Sequence, residues 1–109
     1  MGISNNTVIW FCSDNGPSYI HDLSSAGPFR GKKAELLEGG IVVPAIVEWP
    51  ARFKSPATIN APIVTSDFFS TLLKMCGIDF KEQVTIDGED VSSILSGDRK
   101  DRESPIGFR

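Results

Sequence analysis

Three short clusters of polar residues in this sequence could do chemistry. The first is Asp14-Asn15, set in Ser13-Asp14-Asn15-Gly16-Pro17 directly after an apolar run. A carboxylate beside an amide oxygen offers two hard oxygen donors, which suit Ca2+ or Mg2+ rather than a softer metal. The same pair also makes a plain Asx turn, in which both side chains hydrogen-bond the local backbone. The second cluster is Arg30, Lys32 and Lys33, with Gly31 between them. Cations in a glycine-containing loop can hold sulfate or phosphate oxygens and offset charge developing on a leaving group. An isolated basic triplet also serves simply as a solvated loop. The third is His21, the only histidine, open to acid–base or ligand work and equally to plain solvation. Cys12 and Cys76 fall in an apolar strand and on an apolar helix stripe, so they read as buried thiols rather than nucleophiles.

These residues need elements to hold them. Residues 7–12, Thr-Val-Ile-Trp-Phe-Cys, form an unbroken apolar run without alternation, the pattern of a central parallel strand buried on both faces. Asp14 and Asn15 then sit at its carboxyl end, where open α/β sheets bind ligands. Residues 41–49 read as a second strand in which Pro44 imposes an edge, a bulge or a break. Residues 50–62 contain three prolines and make a surface connection. Thr65 or Ser66 caps a helix whose Phe68, Phe69, Leu72, Leu73 and Cys76 share one stripe, predicted to be core, with Gly77 as the stop. A shorter helix has Asp90 as cap, Val91, Ile94 and Leu95 inside, and Gly97 as stop. One main helix cannot cover both faces of two strands, so the fold reads as α/β and incomplete, a piece of a larger domain.

Composition narrows the classes. The 109 residues carry 11 Lys+Arg against 14 Asp+Glu, a net charge of −3, which argues against a nucleic-acid partner. No apolar run approaches the length of a membrane span, and the polar Met1–Asn6 segment is not an export signal. Two cysteines allow at most one internal disulfide, and no Cys/His cluster has zinc-like spacing.

Order and spacing together say more than any one motif. The apolar strand, Ser-Asp-Asn-Gly, Gly-Pro-Phe-Arg-Gly-Lys-Lys, Glu38-Gly39-Gly40, Ile-Val-Val-Pro and Trp49-Pro50 follow one another in turn. Ser66-Asp67-Phe68-Phe69-Ser70-Thr71-Leu72-Leu73 and Asp87-Gly88 come after them. From about residue 7 to 109 the chain resembles the sulfatase family, more closely its arylsulfatase or N-acetylgalactosamine-6-sulfatase type. The resemblance implies a partial alkaline-phosphatase-like α/β sheet with flanking helices, acting in the hydrolysis of sulfate esters with a divalent metal, usually Ca2+. It implies that Asp14 and Asn15 bind the metal, that Lys33, five residues before Glu-Gly-Gly, contacts the substrate sulfate, and that Glu38, Gly39 and Gly40 are structural. The substrate class is a sulfate ester, a sulfated sugar being one candidate, and family members are often exported, periplasmic or lysosomal.

Departures from the family pattern are equally informative. Ala34, Leu37, Val42 and Ala51 stand where the family commonly has glycine, an aromatic residue, arginine and glycine. Sulfatases also need a formylglycine made from a Cys/Ser-X-Pro-X-Arg motif, and two further acidic metal ligands. Cys12 is followed by Ser-Asp-Asn-Gly and Cys76 by Gly-Ile-Asp-Phe, so neither is that site. The expectation is that residues 1–109 are a catalytic-domain fragment lacking the nucleophile half and the C-terminal small-sheet subdomain, and inactive alone. The alternative is a stand-alone, non-catalytic metal-binding or interaction domain, self-associating through uncovered strands. A phosphatase or phosphonate hydrolase of the same superfamily fits the Glu-Gly-Gly context less well.

Overall fold

The computed structural model describes residues 2–18, 23–81 and 85–107, so His21 lies outside the described residues. The chain divides into two compact units, Met1–Lys54 and Ser55–Arg109.

In the first unit, β1 (Ile9–Cys12) pairs with β2 (Ala45–Glu48) in register Ile9↔Glu48, Trp10↔Val47, Phe11↔Ile46 and Cys12↔Ala45. The pairing is antiparallel, which corrects the parallel neighbour expected from the apolar run. An unbroken run reports the wish for burial, not the direction of the adjoining strand. Burial itself is partial: Ile9, Phe11 and Ile46 share one face and are 54%, 68% and 65% exposed, while Trp10, Cys12 and Val47 on the other are half-buried. The second strand is also shorter than expected. Residues Glu38–Ile41 make a single helical turn, α1, and Pro44 falls in the break before β2 begins. Beyond β2, Trp49 is buried, donates its Nε1–H to Asn6 Oδ1 at 3.0 Å, and carries the Arg52 guanidinium 5.0 Å from its ring centroid.

The second unit is built on α2 (Asp67–Cys76) and α3 (Ser92–Leu95). Gly77 closes α2 in the left-handed region, φ 68°, as the sequence predicted, and its N–H returns to the carbonyls of Leu73 and Lys74. Asp90 lies one residue before the cap expected of it: Val91 is the N-cap of α3 and makes no side-chain cap bond, while Asp90 Oδ1 accepts the Ser92 N–H at 2.9 Å from just outside. The face of α2 that turns inward differs from the expected one. Asp67, Thr71 and Met75, one turn apart, are buried, whereas Phe69 is 49% exposed, Cys76 is exposed, and Phe68, Leu72 and Leu73 are half-buried. Hydrogen bonds set this rotation. Thr71 Oγ1 accepts the Val91 N–H at 3.0 Å, Asp67 Oδ1 accepts the Glu89 N–H at 3.0 Å, and Ser70 donates to Gly88 O at 3.0 Å. They draw the polar side of the helix onto residues 88–91, and Val91 and Ile94 fill the small core beneath. Phe69 meets Phe80 edge-on at 5.3 Å instead. Both cysteines are free, Cys12 half-buried and Cys76 exposed, which corrects the buried thiol expected at 76.

Candidate functional site

Asp14, Asn15 and Lys33 all belong to the first unit, on two loops that the backbone ties together. The turn after β1 is closed locally: Ser13 Oγ donates to Asn15 O at 2.8 Å, and Asn15 Nδ2 donates to Gly16 O at 3.2 Å. Asn15 thus bonds the local backbone as a donor through its amide nitrogen, not as the accepting oxygen of an Asx turn. Its Oδ1 accepts no hydrogen bond among the described residues, and Asp14 is exposed. The turn is anchored by Gly16 N–H to Gly40 O at 2.9 Å. The cation loop joins it through Lys33 N–H, which donates to Pro17 O at 3.0 Å, and through Gly39 N–H, which donates to Arg30 O at 2.8 Å.

Glycine is required where these loops meet. A Cβ on Gly16 would lie 1.8 Å from Gly39 O, and one on Gly40 would lie 2.2 Å from Glu35 O. Glu-Gly-Gly thus has the structural part that the sequence suggested: it lets α1 lie directly against both chemistry-bearing loops. Ala34, next to Lys33, is the one non-glycine described residue with positive φ, at 70°. Its place in the left-handed region gives a physical meaning to the glycine expected there.

Beside the joined loops lies a concavity of about 720 Å³ whose lining includes Ser13, Asn15, Gly16, Phe29, Gly39 and Val42. Asp14 and Lys33 are not among its described lining residues. Lys33 is exposed, and its ammonium makes no hydrogen bond or ion pair with another described residue. As donors, Asp14 and Asn15 fit a hard cation in type. Among the described residues no group of three His, Cys, Asp or Glu side chains gathers to complete a shell.

The sequence profile of the sulfatase family matches residues 1–78. This chain belongs to the sulfatase family. Human steryl-sulfatase is 35% identical over 111 residues, covering 93% of this chain and 19% of that protein. Mouse arylsulfatase G is 35% identical over 116 residues, covering 95% of the chain and 21% of the relative. Mouse N-acetylgalactosamine-6-sulfatase is 35% identical over 106 residues, covering 94% and 20%. The chain thus spans about a fifth of the length of the curated relatives it matches. Family membership brings with it the alkaline-phosphatase-like α/β fold, and the small two-stranded sheet and few helices of the described residues are consistent with a partial domain of it.

Among the described residues of this sulfatase-family chain, a cluster of ion pairs gathers in the second unit and was missed in the sequence. Arg102 forks onto both carboxylate oxygens of the fully buried Asp67, and Asp67 Oδ2 also accepts the Val64 N–H at 2.9 Å. Glu89 takes Arg99 at 2.8 Å and the N–H groups of Glu103 and Ser104. The only advance signal was an acidic residue opening an apolar helix, and nothing in local spacing ties it to an arginine 35 residues on. This cluster holds residues 99–104 to α2, and its carboxylates are engaged by protein groups.

Proposed function

We propose that this chain is one segment of a sulfate-ester hydrolase, with Asp14 and Asn15 as part of the metal site and Lys33 as the contact to the substrate sulfate. The observation that carries the reading is the hydrogen bond from Lys33 N–H to Pro17 O at 3.0 Å, which joins the hard-donor turn to the cation loop. Asp14 and Asn15 would hold the divalent cation, which when bound supplies charge neutralisation and Lewis acidity toward sulfate oxygens. The Lys33 ammonium holds a sulfate oxygen and balances the charge that builds on the ester. Gly16, Gly39 and Gly40 keep the two loops in contact, so that neither has to be reorganised as the substrate arrives. The formylglycine and the remaining acidic ligands belong to the rest of the catalytic domain.

Titration of the chain with Ca2+ and with inorganic sulfate, followed by NMR, tests this. Ca2+ is expected to shift the amides of residues 13–16 with millimolar affinity, since two protein donors leave most of the shell to water. Asp14→Asn should abolish that shift, and Lys33→Ala should abolish the response to sulfate. Shifts confined to other segments, or unchanged in these variants, would refute the assignment.

A second reading, a stand-alone interaction domain, is favoured by the exposed face made by Ile9, Phe11 and Ile46. Tight stoichiometric Ca2+ binding in calorimetry would support it, as would concentration-dependent association in sedimentation that Phe11→Lys removes.

A further inference from the structure

We propose that Arg30 is a second anion-binding residue beside Lys33, taking a further negatively charged group of the sulfate ester, so that multiply anionic sulfated sugars are the preferred substrates. The proposal rests on the assignment of Lys33 to the reacting sulfate. Its first support is that, among the described residues, the Arg30 guanidinium makes no hydrogen bond or ion pair, where its counterparts do. Arg99 and Arg102 pair with Glu89 and Asp67, and Arg52 lies over the Trp49 ring. Arg30 is exposed and makes no side-chain interaction among the described residues, although Glu35 and Glu38 follow within eight positions. An unpaired guanidinium in a chain with a net charge of −3 marks a local positive field within an acidic molecule.

The second support is that the main chain around Arg30 is pinned. Its carbonyl accepts the Gly39 N–H at 2.8 Å, and a Cβ on Gly39 would come within 2.8 Å of that same oxygen. Lys33, three positions on, is pinned by Pro17. The two cations therefore leave one loop from fixed backbone positions, which lowers the ordering cost of binding a ligand with two charges. The concavity of about 720 Å³ takes Phe29 and Gly39, the chain neighbour of Arg30 and the partner of its carbonyl, into its uncharged lining and offers space for a sugar ring, although neither cation is among its described lining residues. A guanidinium fork matches a second sulfate or a carboxylate, where an ammonium is a point charge.

The test is an NMR titration of the 109-residue chain with a sugar monosulfate and with the disulfate of the same sugar, at fixed ionic strength. The unmodified chain is expected to favour the disulfate about fivefold, in keeping with one added charge-assisted contact at an exposed site. Arg30→Ala should erase that preference and leave monosulfate affinity unchanged. Arg30→Lys should retain part of it, and Lys54→Ala, a charge outside the cation loop in the same unit, should retain all of it. A preference that survives Arg30→Ala overturns the proposal. So does equal weakening of both ligands by Arg30→Ala, which would put both cations on one anion, or loss of the preference in Lys54→Ala, which would reduce it to net-charge attraction. If Lys33→Ala leaves both affinities unchanged, the assignment of Lys33 fails and takes this proposal with it.

Discussion

Replacing Asp67 by asparagine keeps the side chain's size but takes from the Arg102 guanidinium, itself only 7% exposed, its hydrogen-bonded counter-charge, leaving it the longer 3.6 Å pair with Glu89. Breaking a buried pair from one side costs about 3–5 kcal/mol, so Asp67→Asn is expected to lower the thermal midpoint of α2 sharply in circular dichroism. Acid should act on the same point. Burial pushes the Asp67 carboxyl up, but the hydrogen bond from Arg102, the N–H groups of Val64 and Glu89, and the Arg102 charge outweigh it and hold it below its ordinary range. Glu89 follows the same pattern, burial being outweighed by the N–H groups of Ser104 and Glu103 and by the Arg102 and Arg99 charges. Carboxyls that are more acidic folded than unfolded add stability that is complete above their unfolded values, 3.8 and 4.5, and is lost as pH falls through the lower folded values. The protection factors of the Val64, Glu89 and Val91 amides, exchange rates corrected for their intrinsic pH dependence, are therefore expected to fall selectively below about pH 4, with little change between about pH 5 and 8. At Ala34 the expected sign is opposite. Ala34→Gly removes a left-handed alanine and should raise stability by about 1 kcal/mol, read from a urea midpoint shift at unchanged m. The strain at 34 was legible in the sequence only as a departure from the family's glycine, because φ depends on how the loop closes.

Among the elements, α2 carries the clearest lesson. Its existence and its end were legible, since Phe68, Phe69, Leu72, Leu73 and Cys76 repeat at helical spacing and Gly77 stops them. Its orientation was not, because Thr71 and Asp67 find their partners 20 to 35 residues away, at Val91, Glu89 and Arg102. In this chain Phe69→Ala should cost about 1 kcal/mol or less, given its 49% exposure, while Ile94→Ala, at 2% exposure, should cost about 2–4 kcal/mol. Chemical denaturation of the two variants checks the order. The reverse ranking would put the apolar stripe back in the core. β1 behaves in the same way: a strand was legible at residues 7–12, whereas its antiparallel neighbour was decided by the 32-residue passage from Ser13 to Pro44.

For the whole molecule, the governing fact is a family match over residues 1–78 by a chain one fifth the length of its relatives. The sequence contains no Cys/Ser-X-Pro-X-Arg motif from which a formylglycine could be made. Purified chain is accordingly expected to show no turnover of an aryl sulfate ester above the uncatalysed rate, with or without added Ca2+, in a standard colorimetric assay. Measurable, Lys33-dependent turnover would require a different nucleophile. Exposed Ile9, Phe11, Ile46 and Phe69 show how much apolar surface the two units leave without cover. The expectation of an incomplete α/β piece came from a count of layers, which needs only the sequence.

By itself the sequence determined the family, the strand at β1, the helices α2 and α3, the turn that offers hard oxygens after β1, and the cation loop that follows. These are properties of residue type and near spacing, and near spacing survives any arrangement of the chain. Tertiary structure alone decided that Gly16, Gly39 and Gly40 press the two loops together. It also decided which way the strands run and which side of α2 is buried. Each of those outcomes depends on a polar group meeting a partner far along the chain, and periodicity carries no information about such a meeting.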